Sequence, residues 1–359
     1  MHSEEKSIES KIDAKYPYIS VIITAHNRKE FIEEAIYSVL NQTVNRALYE
    51  IIVVKNFEDQ GIDNLLVKYN IINLRVKVHS SIGEDLSMAV EKAQGEVLTF
   101  LDDDDLFMPN KLEIVCRAFK EFKDLSYLHN NEYFIDDKGN QAKFWLANLN
   151  EDLFLNDIKS FSEIWELQKM GLVFNMSSIS IKKNKIIGYL KQLQEINTNQ
   201  DDFMFLVSTL ERNSLIILSK EKLTKYRLHN SSTINLSDDM NRFLNHKIQR
   251  LKKSISEETK IIIIVNKKRM YKLFIRVMLI LDKINLYLLD NNADIQLNDL
   301  LFYSLMAFKI KGFKSKRDCL YYLTLIVLSK ISYDRVHRFY IERSFKYNLQ
   351  MMEKHLTQK

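Results

Sequence analysis

Four consecutive carboxylates, Asp102 to Asp105, are the residues whose type and spacing point most directly to chemistry. They follow Glu96-Val97-Leu98-Thr99-Phe100-Leu101, an apolar run that reads as a buried strand, and so fall where open α/β sheets place their ligand crevice. Adjacent carboxylates repel one another, and a bound cation is what lets a folded chain keep them together in a dry crevice. Hard oxygen donors select Mg²⁺ or Mn²⁺, which take one or two carboxylates and complete their shell with water and substrate phosphate. A diphosphate ligand follows from that preference. A solvated acidic loop is the competing reading of the tetrad alone; the strand before it and Leu106-Phe107-Met108-Pro109 after it favour the site. A second acidic pair, Asp201-Asp202, opens a predicted helix, where the macrodipole alone would favour negative charge.

The elements that must position these groups alternate short apolar runs with helical periodicity, the pattern of βα units that build a largely parallel sheet flanked by helices. Strands are expected at Tyr18–Thr24, Glu50–Val54, Leu74–Val78 and Glu96–Leu101. Asn27 is expected to cap a helix carrying Phe31, Ile32, Ala35, Ile36, Val39 and Leu40. A helix from about Glu84 to Gln94 leads into the fourth strand, and another follows Pro109-Asn110. Tyr127–Trp145 reads as a hairpin turning at Asp136-Asp137-Lys138-Gly139. Mixed elements follow: a helix around Ser160–Met170, a strand at Met176–Ile181, a helix from Asp201, and strands at Leu215–Leu218 and Leu223–Leu228. Beyond Asp238 helical periodicity takes over. The expected organisation is a flexible segment 1–16, an α/β domain 17–237 and a basic helical domain 238–359.

Three ordered blocks are similar to family 2 glycosyltransferases of GT-A fold: Pro17-Tyr18-Ile19-Ser20-Val21-Ile22-Ile23-Thr24-Ala25-His26-Asn27-Arg28, Ile36-Tyr37-Ser38-Val39-Leu40-Asn41-Gln42-Thr43, and Gly95 through Asp105. The resemblance extends to Asp201-Asp202 and to Tyr226-Arg227-Leu228-His229-Asn230-Ser231-Ser232, spanning roughly residues 17 to 235. It implies a Rossmann-like α/β domain and an inverting transfer of a hexose from a nucleoside-diphosphate sugar to a saccharide or lipid-linked acceptor, with Mn²⁺ or Mg²⁺. By motif position Asp102 and Asp104 are the outer acids of the family's DxD element, with Asp103 between them and Asp104 the first choice as metal ligand. Asp202 matches the general base, with Asp201, in place of the usual Glu, able to exchange roles with it. His229 matches a late histidine that contacts metal or diphosphate, supported by Arg227. The resemblance also implies nucleotide contacts for Thr24, Ala25 and Asn27 in the first βα turn, and phosphate or carboxylate pairing for Arg28. One departure is Lys55-Asn56 after the second strand, where the family usually carries an aspartate that accepts the uracil imide N–H. Lysine cannot accept that bond, but the side-chain oxygen of Asn56 can.

Charge is split along the chain. From Asn241 to the end, 24 Lys and Arg stand against 10 Asp and Glu, and a total of +5 leaves the first 240 residues net acidic by nine charges. The basic part, with helices such as Met270–Leu289 and Cys319–Leu328 and clusters Lys267-Lys268-Arg269 and Lys314-Ser315-Lys316-Arg317, suits an anionic membrane surface or the exterior of an ordinary bundle. Nucleic acid is not expected, because the aromatics fall at buried helical positions. Residues 1–15 lack the apolar stretch of a signal peptide and no run reaches the roughly 18 apolar residues of a span, so a cytoplasmic chain, peripheral at most, is expected. The two cysteines, Cys116 and Cys319, have no metal-type neighbours and read as reduced core residues. Two other readings compete: a nucleotidyltransferase, against which Thr24–Arg28 lacks a glycine-rich phosphate loop, and a silent sugar-nucleotide-binding scaffold, against which the acids and His229 are all retained.

Overall fold

The computed structural model describes residues 17–142, 149–156, 158, 160–171, 173–211, 214–229, 237–309 and 313–356. The expected flexible segment 1–16, the end of the expected hairpin at 143–145, and Asn230-Ser231-Ser232 lie outside the described residues, as do the side chains of Lys267, Lys314 and Ser315.

Three βα units open the chain: β1 (Ile19–Ala25) and α1 (Ile32–Leu40), β2 (Tyr49–Lys55) and α2 (Gln60–Lys68), then β3 (Ile72–Arg75) and α3 (Ile82–Lys92), leading into β4 (Val97–Asp102). These strands pair in parallel in the order β3-β2-β1-β4, with Thr24 opposite Asp102 and Ala25 opposite Lys55. The third strand lies earlier than Leu74–Val78 because its only partner, β2, ends at Lys55, which pairs with Arg75. Asn27 does not cap α1. The helix starts at Ile32 after Phe31, with no side-chain cap, while Asn27 turns the chain with a φ of 58°, a left-handed conformation that asparagine tolerates better than most residues.

The second half of the sheet is built from β5 (Leu106–Phe107), β6 (Leu125–Ile135), β7 (Gln141–Ala142), β8 (Leu153–Leu155), β9 (Ile179–Lys182) and β10 (Leu215–Arg227), with α4 (Lys111–Glu121), α5 (Phe161–Lys169) and α6 (Gln200–Ser208) between them. The order continues β4-β9-β6-β10-β5. Here the sheet is mixed rather than largely parallel: β9 runs antiparallel to both neighbours, and only β6 and β10 are parallel. The two strands expected at 215–228 are one. The polar break Ser219-Lys220-Glu221, which reads as a turn in sequence, is a register shift within β10, and Asp152 accepts from the Lys220 N–H at 2.7 Å.

Alternate residues of β1 feed two cores. Ile19, Val21 and Ile23 pack with Ile36, Leu66 and Phe119 of α1, α2 and α4. Ile22, with Leu98 and Phe100 of β4, packs with Leu86 and Val90 of α3 and Phe203 and Phe205 of α6. This second core runs on without interruption into the C-terminal helices α7 (Met240–Ile264), α8 (Arg269–Leu289), α9 (Leu297–Lys309), α10 (Phe313–Ile331) and α11 (Tyr333–Leu356), through Tyr271, Phe274, Tyr303, Ile326 and Tyr340. Both cysteines are buried and free. Among the described residues, no helix is long and apolar enough to cross a membrane.

Two contacts fix the approach to α6. A Cβ at Gly83 would lie 2.0 Å from the Leu193 carbonyl oxygen and 2.2 Å from that of Ile196, so only glycine lets α3 lie against the 193–196 backbone. Glu257 of α7, 5 % exposed, accepts the successive backbone N–H groups of Asn197, Thr198 and Asn199 at 2.9, 2.9 and 3.0 Å. Charge-assisted bonds of this kind are among the stronger ones in a protein. The C-terminal helices thus hold the segment that leads into the Asp201-Asp202 turn.

Candidate active site

Strand β4 delivers the tetrad to the carboxyl edge of the sheet. The Asp105 N–H donates to the Asp102 carbonyl at 3.2 Å, closing a turn, and the Asp102 N–H donates to the Ser177 hydroxyl at 2.9 Å. The carboxylates of Asp102, Asp104 and Asp105 each offer an oxygen within 4.8 Å of the others. Arg28 reaches across from the β1 turn, bonding Asp103 through Nε (3.1 Å) and Nη2, and Asp104 through Nη2 at 2.7 Å. His229 Nε2 lies 2.7 Å from Asp104 Oδ2 and 3.2 Å from Arg28 Nη1. Arg227, fully buried, lies over Phe31 and braces the turn: its N–H donates to Asp105 at 2.9 Å, its Nε to the Asp104 carbonyl at 2.8 Å, and its Nη2 to Glu34 at 2.7 Å.

Burial and crowding set the electrostatics. Desolvation, then Asp104 and Asp103, push Asp102 up to about 7 against the pull of Arg28. Asp103 rises to about 6, mainly by burial, with Arg28 opposing. Asp105 rises well above the carboxylate range through burial and its neighbours Asp104 and Asp102. Asp103 Oδ2 and Asp105 Oδ2 are buried without a hydrogen-bond partner. Clustered hard oxygens with unmet acceptor capacity and raised proton affinity fit a divalent cation of the Mg²⁺ or Mn²⁺ type.

Asp201 and Asp202 occupy the first turn of α6 and feel different surroundings. Asp201 is raised well above the usual range by burial, then by Asp102 and Asp202, with Arg250 opposing. Asp202 is pushed up to about 7 by burial and by Asp282 of α8. The first acid therefore shares a field with the tetrad, the second with the C-terminal helices.

A cavity of about 600 Å³ joins Thr24, Asn27 and Arg28 to Asp102, Asp103 and Asp104, with Gln200 of α6 also on its wall. Arg227 and His229 contact this group from the end of β10. Ala25 and Asn56 are absent from the wall. Ala25 is buried at the end of β1. Asn56 is buried, its Oδ1 accepting the Asn27 N–H at 2.7 Å while its Nδ2 donates to Asn27 Oδ1 at 3.1 Å. Lys55 is withdrawn onto Asp63 at 2.9 Å. Sequence reasoning named Asp105 within the run of four but gave it no role of its own, and gave none to His26 and Tyr226, which stand beside assigned residues, or to Asp85, which reaches the cavity wall from α3.

Residues 20–180 match the profile of Glycosyl transferase family 2. An uncharacterized glycosyltransferase of Methanocaldococcus jannaschii is 27% identical over 220 residues, covering 60% of this chain and 72% of that protein. One from Haemophilus influenzae is 27% identical over 218 residues, covering 58% of this chain and 78% of its own length. The crystal structure of S. aureus TarS 1-349 in complex with UDP superposes with a TM-score of 0.52 at 13% identity, covering 87% of this chain and 90% of that one, a likeness of fold. With the tetrad at the tip of β4 and helices on both faces of the sheet, residues 20–180 belong to glycosyl transferase family 2, in a chain of GT-A fold that continues into an all-helical C-terminal region.

Proposed function

We propose that the protein transfers a hexose, with inversion, from a nucleoside-diphosphate sugar to a hydroxyl of a saccharide or lipid-linked acceptor. The observation that carries this reading is the carboxylate cluster of Asp102, Asp104 and Asp105 at a cavity whose wall includes Gln200, the residue before the Asp201-Asp202 pair in the first turn of α6. The cluster would hold Mn²⁺ or Mg²⁺, which when bound neutralises the charge that builds on a departing nucleoside diphosphate. Asp201 takes the proton from the acceptor hydroxyl as that oxygen attacks the anomeric carbon. The bond from that carbon to the diphosphate oxygen breaks on the opposite face, hence inversion. A carboxylate with raised proton affinity suits this task at neutral pH. Arg28 and His229, now paired with Asp103 and Asp104, stand beside the diphosphate position and support its charge. Thr24 and Asn27 line the path to the nucleoside.

The test is a thermal-shift series with Mn²⁺ and UDP, GDP, CDP and ADP, because a ligand at 100 times its Kd adds roughly 2.7 kcal/mol to stability. One nucleoside diphosphate is expected to raise Tm only when the metal is present. No shift with any of the four would remove the reading.

The lipid-linked form of the acceptor is favoured by a surface feature. Leu297, Leu301, Leu305 and Phe308, at helical spacing on α9, are 70, 55, 65 and 71% exposed, and Leu320, Val327 and Ile331 of α10 are 66, 64 and 80% exposed. The exposed Lys309, Lys316, Arg317 and Lys330 belong to the same two helices. An apolar stripe flanked by cations fits an anionic lipid surface, each basic residue near it contributing about 1 kcal/mol. The protein is expected to float with vesicles containing anionic lipid, and Leu301→Glu with Phe308→Glu to lose flotation while keeping nucleotide binding. Absence of wild-type flotation at low salt would remove the membrane from the proposal.

A further inference from the structure

We propose that Asp85 reads the nucleoside of the donor by accepting a hydrogen bond from one of its N–H or O–H groups. This rests on the function proposed above and adds a residue that the sequence motifs do not mark. Asp85 is the fourth residue of α3 and lies on the wall of the cavity that contains Asp102 and Asp104. It also forms part of a neighbouring cavity of about 890 Å³ between α3 and residues 187–194. The residue is 4% exposed, yet its Oδ1 is buried without a hydrogen-bond partner. Its other oxygen is 3.7 Å from His26 Nδ1.

The tetrad acids of the cavity wall have partners that Asp85 lacks, although Asp103 shares with it one unpaired oxygen. Asp103 and Asp104 meet Arg28, Asp104 also meets His229, and Asp102 and Asp104 belong to the cation-fitting cluster. A buried carboxylate oxygen left unpaired is costly, so a ligand that supplies a donor there gains more than one that only fills space. Phosphate oxygens are acceptors and cannot supply it. The diphosphate therefore belongs at the tetrad, and the sugar between the tetrad and Asp201. Asp85, in the first turn of α3, lies beside His26, whereas Asp201 lies in the first turn of α6, next to Gln200 of the cavity wall, so the two acids reach the site from different elements. The end at Asp85, with Ile82 and Leu86 beside it as apolar wall, is left for ribose and base. Asn56 does not compete for this role, since it is buried and does not line the cavity.

The experiment is isothermal titration in Mn²⁺ of the full chain and its Asp85→Ala and Asp85→Asn variants. The probes are inorganic pyrophosphate, whichever of UDP, GDP, CDP and ADP the wild type binds tightest, and the 2′-deoxy and base-N-methylated forms of that nucleotide. Loss of a hydrogen bond to a charged group is expected to weaken nucleoside-diphosphate binding about ten- to hundred-fold in Asp85→Ala. Pyrophosphate binding should be unchanged, and the ligand-free Tm equal or higher, because an unpaired buried charge has been removed. Asp85→Asn keeps the shape and guards against a folding artefact; it too should bind the nucleotide more weakly with pyrophosphate unaffected. The analogue that loses affinity in the wild type, but no further affinity in Asp85→Ala, identifies the bonded group. A variant that binds the nucleotide like the wild type, or loses pyrophosphate equally, overturns the role of Asp85 alone. A wild type that binds pyrophosphate but no nucleoside diphosphate overturns the proposed function and this inference together.

Discussion

Asp104→Ala is expected to lower kcat for sugar transfer by about a thousandfold or more, since charge stabilisation at the leaving group contributes several kcal/mol to the transition state. The side chain can be removed without releasing the turn, because Arg227 holds the Asp104 carbonyl and the Asp105 carboxylate. Stopped-time assays with saturating Mn²⁺ measure the loss, and a variant with undiminished turnover would displace the metal site from the tetrad. A pH dependence accompanies this result. Asp102 and Asp103 titrate near 7 and 6 in the fold, above the ordinary carboxylate value. Between roughly pH 4 and 7 the native state then holds more protons than the unfolded chain, so the metal-free protein loses stability as pH rises through that window. Metal competes with those protons. Mn²⁺ stabilisation should therefore grow from pH 5 to 7.5 in the wild type, and grow less in Asp104→Ala.

Asp201→Asn should cost between about a hundred- and ten-thousandfold in kcat, the range for loss of a positioned general base, while donor affinity stays within a few-fold. Asp202→Asn should cost much less, because that carboxyl lies in the field of Asp282 rather than of the tetrad. The split between kcat and donor Kd separates a base from a group that only shapes the pocket. If the two variants ranked the other way, the base would be Asp202.

Local pattern made the front of the molecule readable. Alternation and turn residues located β1, β2, β4 and the helices α1, α3 and α4, and the run of four aspartates announced its own position, because strand register and charge are properties of short segments. The pattern misled where tertiary pairing overrode it. β3 stops where β2 gives it no partner, and β10 runs through a polar break because a neighbouring aspartate takes up the freed N–H. Asn56 illustrates another limit: the sequence offers its oxygen to a base, yet that oxygen accepts the Asn27 N–H across 29 residues. Asp85 carried no motif at all. What singles it out is an unpaired buried acceptor on a residue of the cavity wall, a fact about three-dimensional neighbours.

The grip of Glu257 on the amides of residues 197–199 bears on how such enzymes diversify. A chimera that exchanged the front of the chain for a relative's and kept these helices, or a truncation ending before Met240, would strand three backbone donors and uncover Phe203 and Phe205. The helices and the turn that presents Asp201 must therefore be inherited as one unit, however freely the rest of the surface drifts.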